Sequence, residues 1–465
     1  METALTTPSS MPAPTAWDTP FWNRATETMP RAGLDRLHLA RVQALLHHAY
    51  ESSAFYRQKF EAAGLHPRDV RSLEDLKTKV PITDKSEFIG LQQERPPYGD
   101  TLALPMEWIS HHAETSGTTG VPLSIPYSMA DTVRYGESWC YGFWGLGIRP
   151  VDTFYFAFGW GNFAGFWSAY WGARRMGCRV VSGGGLDTRG HVQAILRTRP
   201  TVLISTPTFA LRIAAVAAEM GVDLSQSSIR FTYHAGEPGP SALPGMREQI
   251  EKAWGAKAGD LLGIAEIDAM APGCPNGDGV HVNEMNLHSW SMNPDTKQEV
   301  GAGEIGENVV TGYANTAQPL INYRTHDLVR RVFGCSCGRT WGKLEGAVLG
   351  RTDFMVTVRG TNVYQSAVEN ILAEVTGISM HYELVLTRND DNDVMTIRFE
   401  PEATIGDDAE AVKKAAAEAG ARIHRALHVR LECQPVPCNS LPRFELKTKR
   451  MIDQRPKEFR RALDR

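Results

Sequence analysis

Short apolar runs alternate with helix-like segments between residues 179 and 264 of this chain. The apolar runs are RVVSGG, TVLIST, IRFTYHAGE and GDLLGI. Two segments between them, HVQAILRTR and FALRIAAVAAEM, repeat apolar residues at helical spacing. Because strands that alternate with helices form sheets of parallel strands covered by helices, this pattern predicts an α/β fold with mainly parallel sheets.

The pattern changes after Gly350. The strand-like runs MVTVRGTNV, YELVLTR and VMTIRFE accompany two helix-like segments, at residues 366–374 and 408–427. Few strands, two helices and hairpin-like connections predict a small α+β domain. The 465 residues are about three times a typical domain length. We expect a large N-terminal domain at residues 1–350 and a small C-terminal domain at residues 351–465.

The charge balance excludes several classes of function. The formal net charge is −4 and 42% of the residues are hydrophobic. This composition is that of a globular protein without the positive field that would draw it to nucleic acid or anionic lipid. No apolar signal segment opens the sequence, and the seven cysteines are an odd number, so we expect a cytoplasmic protein.

Residues 154–173 carry no charge and are numerous enough to cross a membrane. Ten of them are aromatic and none is Leu, Ile or Val, whereas helices in lipid are rich in aliphatic side chains. We therefore expect this stretch to form the aromatic wall of a pocket and not a membrane span.

A loop rich in serine, threonine and glycine spans residues 115–120, with the sequence TSGTTG. Its backbone N–H groups and hydroxyls can surround the oxygens of a phosphate group. The loop lacks the GK[ST] ending of a P-loop, which argues against a P-loop kinase or ATPase. Taken alone, it fits a flexible turn equally well.

Five further motifs follow in order: AGEPGPS at 235–241, LLGIAEID at 261–268, NYRTHDL at 322–328, LGRTDF at 349–354 and LPRFELKTKRMID at 441–453. With the loop, they make the chain resemble the adenylate-forming superfamily of acyl- and aryl-CoA synthetases, luciferases and adenylation domains. Residues 52–76 and the PITDK run at 81–85 narrow the resemblance to phenylacetate-CoA ligases. The resemblance covers nearly the whole chain and implies that the small C-terminal domain is mobile.

The resemblance implies a role in ATP binding for residues of several motifs. The β- and γ-phosphates would be held by Thr115, Ser116, Gly117, Thr118, Thr119 and Gly120. The adenine would lie against Ala235, Gly236, Glu237 and Pro238. Asp327 would accept hydrogen bonds from both ribose hydroxyls, and Arg351 would lie near the ribose and the phosphates.

The same resemblance implies the catalytic groups. Glu266 would bind Mg²⁺, a cation that prefers carboxylate and phosphate oxygens. Lys447 would bridge the substrate carboxylate and the α-phosphate and stabilise charge as the new bond forms. Asp353 would be the hinge on which the C-terminal domain turns between two half-reactions. Arg450, close to the lysine, is expected on a solvated face.

The chain departs from the usual family motifs at Val121, Leu262, Ala265, His326 and Leu446. Relatives usually have Lys, an aromatic residue, Ser or Thr, Gly and Gly at these positions. The missing ring at Leu262 removes a stacking contact with adenine worth roughly 1 kcal/mol. These losses keep open the alternative of a nucleotide-binding protein without activity, against which the retained catalytic residues argue.

Aromatic residues and the resemblance together predict the substrate pockets. Relatives place part of their acyl pocket before the strand at Arg179, and the candidates here are Phe158, Trp160, Phe163, Phe166, Trp167, Tyr233 and His234. Flat rings favour an aromatic acid, although plain core packing explains the same residues equally well. The CoA tunnel would be bordered by Arg359, Gly360 and Tyr364.

A second group of residues has the donors of a metal site: Cys274, His281, Cys335 and Cys337. Three thiolates and one imidazole match the donors of a closed, structural zinc site. The single residue between Cys335 and Cys337 is tighter than the usual zinc spacing, so ordinary thiols are the alternative.

We therefore expect an ATP-dependent aromatic-acid CoA ligase, with phenylacetate or a bulkier arylacetate such as indoleacetate as the substrate. ATP, with Mg²⁺, would convert the acid to an acyl-adenylate and pyrophosphate, and the thiol of CoA would then displace AMP. An adenylating enzyme that passes the acyl group to a carrier protein or an amine is the other active alternative. The sequence leaves the oligomeric state open, a homodimer included.

Overall fold

The computed structural model describes residues 15–115, 122–162, 164–352, 355–358, 361–389, 392–406, 408–427, 429–442 and 450–455. Its α-helices are α1 (Arg24–Glu27), α2 (Arg31–Ser52), α3 (Ala54–Ala62), α4 (Leu73–Lys79), α5 (Lys85–Glu94), α6 (Met129–Leu146), α7 (Ala164–Arg175), α8 (Thr188–Thr198), α9 (Pro207–Glu219), α10 (Pro244–Trp254), α11 (Gln365–Ala373) and α12 (Ala409–Leu427). Its strands are β1 (Ile109–Glu114), β2 (Ser124–Ser128), β3 (Thr153–Phe156), β4 (Arg179–Ser182), β5 (Val202–Ser205), β6 (Phe231–His234), β7 (Lys257–Ile264), β8 (Asp268–Pro272), β9 (Gly279–His281), β10 (Leu287–Met292), β11 (Ile305–Gly312), β12 (Leu320–Val332), β13 (Lys343–Arg351), β14 (Met355–Val358), β15 (Thr361–Tyr364), β16 (Ile378–Asn389), β17 (Asn392–Pro401), β18 (Glu432–Pro435) and β19 (Met451–Asp453).

The central sheet has six strands in the order β4-β3-β5-β6-β7-β8. All neighbours from β4 to β7 pair in parallel, and β7 and β8 pair antiparallel. Helices α8 and α9 connect successive parallel strands, as the alternating pattern predicts. The α/β class is therefore confirmed, and the carboxyl end of β6 leads directly into the AGEP segment.

The second large sheet is antiparallel throughout, in the order β10-β11-β12-β13-β9. The expectation of mainly parallel sheets is therefore correct only for the central sheet. Antiparallel strands can be joined by short turns without a crossover helix, so this region shows no alternation of strands with helices. Helices α2, α3 and α5 pack Leu46, Phe60 and Phe88 with Tyr323 of β12 in one apolar cluster.

The C-terminal part has its own sheet, in the order β18-β17-β16-β19, and its own apolar core. The buried residues of α12 recur every three or four positions, at Val412, Ala415, Ala419 and Ile423. The apolar cluster that contains Ala415, Ala419 and Ile423 draws only on residues from Val363 to Met451. This separation supports our proposal of a domain boundary near residues 351–354.

The uncharged stretch at residues 154–173 is not one continuous helix. Its first residues lie in β3, and helix α7 begins only at Ala164. Among the helices in the described part of the chain, none combines the length and the apolar character that crossing a bilayer requires.

Truncation of Ile423 tests whether the C-terminal core unfolds separately. Its side chain is fully buried, with 0% exposed, and removal of such a side chain costs about 2–5 kcal/mol. We expect Ile423→Ala to lower the midpoint of one of two calorimetric transitions. The matched variant Ile250→Ala, buried in α10, should lower the other. A single transition that moves equally in both variants would contradict the proposed boundary.

Candidate active site

A buried carboxyl group lies in the turn between β7 and β8. Glu266 is only 6% exposed. Its Oε1 is 3.0 Å from Nζ of Lys85 at the start of α5 and accepts a hydrogen bond from the Tyr323 hydroxyl at 3.1 Å. Its backbone carbonyl accepts a hydrogen bond from Nδ2 of Asn315 at 2.7 Å. Two regions that are distant in sequence, the start of α5 and residues 315–323, therefore hold this residue in place.

These contacts keep Glu266 ionised. Burial raises the pKa of its carboxyl group, but the charge and hydrogen bond of Lys85 and the hydroxyl of Tyr323 outweigh burial and lower the pKa. Burial raises the pKa of Tyr323, so its hydroxyl stays protonated and donates. A buried carboxylate of this kind fits a divalent cation. The contact of Lys85 is not predictable from the sequence, because the PITDK run contains no signal for its partner.

Strand pairing brings together the predicted ribose-binding pair. Asp327 of β12 lies opposite Arg351 of β13 in the antiparallel register, and Nη1 of Arg351 is 2.6 Å from Oδ1 of Asp327. Asp327 is buried, while 32% of the Arg351 side chain is exposed. The pair therefore offers a fixed carboxylate and a partly exposed cation at one end of the antiparallel sheet.

The AGEP segment follows the carboxyl end of β6, the edge at which parallel sheets commonly bind ligands. Gly236 has a φ of +89°, a left-handed conformation that favours glycine. Oε2 of Glu237 accepts hydrogen bonds from the backbone N–H of Thr208 at 3.2 Å and from its hydroxyl at 2.7 Å. Ala235 is partly buried, and Gly236 and Pro238 are exposed. The side chain of Glu237 thus anchors the segment, while the backbone at its exposed positions can line a site.

Thr115 closes the base of the predicted phosphate-binding loop. Its backbone N–H donates to the carbonyl of Leu123 at 3.0 Å, and its hydroxyl oxygen accepts from the N–H of Leu123 at 2.9 Å. Tyr364 ends strand β15. Ten predicted positions lie outside the described residues: Ser116, Gly117, Thr118, Thr119, Gly120, Phe163, Asp353, Arg359, Gly360 and Lys447.

The aromatic candidates of the uncharged stretch form one cluster. The rings of Phe158 and Phe166 stack with their centroids 3.6 Å apart. Trp160 contacts Phe158 at 5.5 Å and Trp167 at 4.8 Å between ring centroids. Its indole N–H donates to the hydroxyl of Ser182 at 2.6 Å, which fixes the orientation of the ring. The cluster is therefore ordered by ring contacts and by one hydrogen bond to β4.

Two residues outside the predicted set, His111 and Tyr127, join this cluster to the turn of Glu266. The His111 ring of β1 lies 5.3 Å from Trp167 and 5.7 Å from Tyr127 between centroids. The Tyr127 hydroxyl donates to the backbone carbonyl of Ala265 at 3.2 Å. A series of ring contacts therefore runs from the uncharged stretch to the residue before the buried carboxylate.

Tyr233 and His234 lie in the core at the end of β6. The Tyr233 ring packs against Trp139 and Phe143 of α6, with centroids 6.0 and 5.0 Å away. His234 is fully buried at 0% exposed, and its Nδ1 is 3.2 Å from the carbonyl of Ser205. Burial lowers the pKa of His234 to about 4, so the ring is neutral and donates through Nδ1. These contacts support core packing for both side chains, which is the alternative to a place in the acyl pocket.

The four residues of the predicted metal site meet in space. The ligand atoms of Cys274, His281, Cys335 and Cys337 all lie within 4.8 Å of one another. The Sγ atoms of Cys274 and Cys335 are 3.7 Å apart, and Sγ of Cys337 is 3.2 Å from Nε2 of His281. A zinc tetrahedron with Zn–S bonds of about 2.3 Å has edges of about 3.8 Å. Both the donors and their spacing therefore fit zinc.

The prediction of a solvated face is wrong for Arg450. Its guanidinium bonds the hydroxyl of Tyr382 and lies 3.6 Å from Oε1 of Glu369. Its Cζ atom is 4.3 Å from the centroid of the Tyr382 ring. Its backbone carbonyl accepts a hydrogen bond from the N–H of Leu384 at 2.7 Å. These contacts attach the end of the segment that contains Lys447 to the core of the C-terminal part.

The sequence of this chain is similar to that of known enzymes over most of its length. Residues 360–455 match the model of the AMP-binding enzyme C-terminal domain. The phenylacetate-coenzyme A ligase of Escherichia coli (strain K12) is 32% identical over 443 residues, which cover 93% of this chain and 98% of that protein. The chain belongs to the phenylacetate-CoA ligase family. The expected resemblance is confirmed, and the protein is an ATP-dependent, AMP-forming acid-CoA ligase.

One solved relative of this phenylacetate-CoA ligase family member has been captured in two states, which can be compared with the present structure. A 2-hydroxyisobutyryl-CoA ligase in the postadenylation state, in complex with 2-HIB-AMP, has a TM-score of 0.87 and 31% identity, over 98% of this chain and 96% of that chain. The same ligase with 2-HIB-AMP and CoA in the thioesterification state has a TM-score of 0.71 and 31% identity, over 96% of this chain and 94% of that chain. The arrangement of this ligase is therefore more similar to the postadenylation state of that relative than to its thioesterification state.

The buried, neutral His234 makes the fold sensitive to acid. Its pKa falls from about 6.5 in an unfolded chain to about 4 in the fold. A group with a lowered pKa stabilises the fold above its unfolded pKa, and this contribution is lost as the pH falls through the folded pKa. We expect the unfolding free energy of the wild type to fall by roughly 2–3 kcal/mol relative to His234→Gln between pH 7 and pH 4, measured by chemical denaturation.

The matched control for this measurement is His424→Gln, because His424 is exposed on α12. This variant should keep the pH dependence of the wild type. The same pH dependence in His234→Gln would contradict the neutral state assigned to the buried ring.

Proposed function

We propose that this ligase activates an aromatic acid, phenylacetate or a bulkier arylacetate such as indoleacetate. The observation that carries the proposal is the series of ring contacts from the stacked pair through Trp167 and His111 to Tyr127, next to the turn of Glu266. Rings arranged in this way form flat walls that bind another ring well. The fold alone does not select the substrate class, since the 2-hydroxyisobutyryl group of the structural relative is aliphatic.

In the proposed first half-reaction the substrate carboxylate attacks the α-phosphate of ATP, and pyrophosphate leaves. Asp327 accepts hydrogen bonds from the ribose hydroxyls, and the partly exposed guanidinium of Arg351 faces the phosphates. The exposed backbone of the AGEP segment lies against the adenine. Lys447 donates to the reacting carboxylate and the α-phosphate and stabilises the charge that develops there.

Glu266 binds Mg²⁺ in this proposal, because its ionised and buried carboxylate is the kind of ligand that this cation prefers. When bound, the cation would neutralise part of the charge on the triphosphate. Lys85 holds Glu266 in the ionised state and adds a second positive charge beside it. The intact pairs at Glu266 and Asp327 support an active enzyme over the inactive alternative.

In the proposed second half-reaction the thiol of CoA attacks the acyl carbonyl, and AMP leaves with the electron pair of the broken bond. The C-terminal part turns about Asp353 between the two half-reactions and withdraws Lys447. Arg359, Gly360 and Tyr364 then border the pantetheine chain of CoA. We also propose a cytoplasmic location, since an odd number of cysteines suits a reducing compartment.

Release of pyrophosphate across a panel of aromatic, arylacetic and aliphatic acids tests the proposed substrate. The assay contains ATP and Mg²⁺, is run with and without CoA, and identifies the products by mass spectrometry. We expect acyl-CoA and AMP from an arylacetate. Pyrophosphate without a thioester would assign the acyl group to a carrier protein or an amine, and a preference for aliphatic acids would contradict the aromatic pocket.

The same assay includes Lys447→Ala, which should abolish adenylation of the preferred acid because the bridging positive charge is lost. Lys413→Ala is the matched control, since Lys413 is exposed on α12, and it should keep the wild-type rate. An unchanged rate in Lys447→Ala would contradict the role of this lysine.

We also propose that the Cys/His cluster holds one structural zinc ion. The donors are three thiols and one imidazole within 4.8 Å of one another, and such a set leaves no open coordination position for a substrate. Nδ1 of His281 lies 3.3 Å from the carbonyl of Trp341, a contact that orients the ring for binding through Nε2. The ion would join the segment before β9 to the segment after β12.

Metal analysis of the purified ligase tests the zinc proposal. We expect about one zinc ion per chain, and loss of both zinc and thermal stability in Cys337→Ser. Cys438→Ser removes an exposed thiol and should retain the metal. Less than about 0.2 zinc per chain, in protein prepared without a chelator, would leave these residues as ordinary thiols.

A further inference from the structure

His326 occupies a backbone conformation that favours glycine. Its φ is +61°, in the left-handed region where a residue with a Cβ atom costs about 1 kcal/mol or more. Glycine is also the residue that the resemblance leads us to expect at this position. The contacts of the imidazole must therefore offset the cost of the backbone, and His326 directly precedes Asp327.

The imidazole contacts three segments that are far apart in sequence. Its Nε2 is 2.9 Å from Oδ2 of Asp84, the N-cap residue of α5. Its Nδ1 is 3.1 Å from Oγ1 of Thr352 and 3.6 Å from Oε1 of the buried Glu307. The backbone N–H of Thr352 also donates to the carbonyl of His326 at 2.8 Å. His326 and Thr352 are thus bonded through both side chain and backbone.

The contact with Asp84 determines which nitrogen carries hydrogen. Burial raises the pKa of the Asp84 carboxyl group, but hydrogen bonds from His326 and Ser86 outweigh burial and hold this pKa well below its ordinary range. The group is therefore a carboxylate, which only accepts, so Nε2 of His326 donates. Nδ1 and the hydroxyl of Thr352 are joined by the second hydrogen bond of the ring.

Both contacts end beside a residue of the proposed active site. Thr352 directly precedes Asp353, the proposed hinge. Asp84 directly precedes Lys85, which pairs with Glu266. The side chain of His326 therefore joins the entry to the C-terminal part with the start of α5, where Lys85 pairs with the buried Glu266.

We propose that His326 is a positioning residue that holds Thr352 in the arrangement used for adenylation. The structure that contains this bridge is more similar to the postadenylation state of the relative than to its thioesterification state, with TM-scores of 0.87 and 0.71. The proposal rests on the adenylation function proposed above. It assigns the bridge to the first half-reaction and not to the second.

His326→Gly tests the proposal, because glycine adopts the same φ without strain and removes the side-chain contacts with Asp84, Thr352 and Glu307. We expect adenylation, measured as exchange between ATP and pyrophosphate at saturating acid, to slow by about tenfold. Formation of the thioester from supplied acyl-adenylate and CoA should change by less than about twofold. The ratio of the two rates separates positioning from a general structural role.

Three further variants complete the test. Thr352→Val removes the hydroxyl, keeps the shape of the side chain and should slow the same half-reaction. The double variant should lose no more than His326→Gly alone, because both changes break one bridge. Lys297→Gly is the matched control for a new glycine at a left-handed position, with a φ of +61°, and should leave both rates unchanged.

Equal losses in both half-reactions would overturn the proposal and make His326 a structural residue. Wild-type adenylation in His326→Gly would overturn it as well. If His326→Gly does not fold, Thr352→Val gives the same comparison. Absence of adenylation in the wild-type protein with every acid would instead contradict the proposed function, so the two failures are distinguishable.

Discussion

The buried carboxylate of Glu266 is the constraint on which the site depends. An ionised carboxyl group taken out of water costs several kcal/mol unless a counter-charge and hydrogen bonds compensate it. Lys85 supplies the charge from the start of α5, and Tyr323 supplies a hydrogen bond from β12. The N-terminal helices and the antiparallel sheet must therefore pack against the central sheet in one arrangement, which makes the N-terminal helices part of the site.

Strand register places the other charges of the antiparallel sheet. Arg324 of β12 donates to both oxygens of the buried Glu307 of β11, at 2.7 and 2.6 Å. Asp327, also on β12, accepts a hydrogen bond at Oδ1 from Nη1 of Arg351 on β13 at 2.6 Å. A shift of one residue in one of these ladders would separate the carboxylate from the cation of that ladder, because the shifted strand would turn its side chain to the other face. The geometry of the site therefore derives from the sheet as much as from its loops.

Local periodicity predicts the central sheet and the C-terminal part well, because parallel strands buried on both faces are continuously apolar. The antiparallel sheet escapes prediction, since β12 mixes buried polar residues such as Asn322 with apolar ones. The Cys/His cluster is predicted from the chemistry of its donors together with the family resemblance. The contact of Lys85 and the burial of Arg450 are not, because each depends on a partner that is distant in sequence and that no local pattern marks.

The apolar core of the C-terminal part has a mechanical consequence. The small side chains of Ala415 and Ala419 let α12 pack closely within this core, and the parallel pairing of β19 with β16 ties the residues after Lys447 to it. Closely packed protein interiors have low compressibility, so a core of this kind resists internal deformation. The C-terminal part therefore holds together as one body, which is what the proposed turn about Asp353 requires.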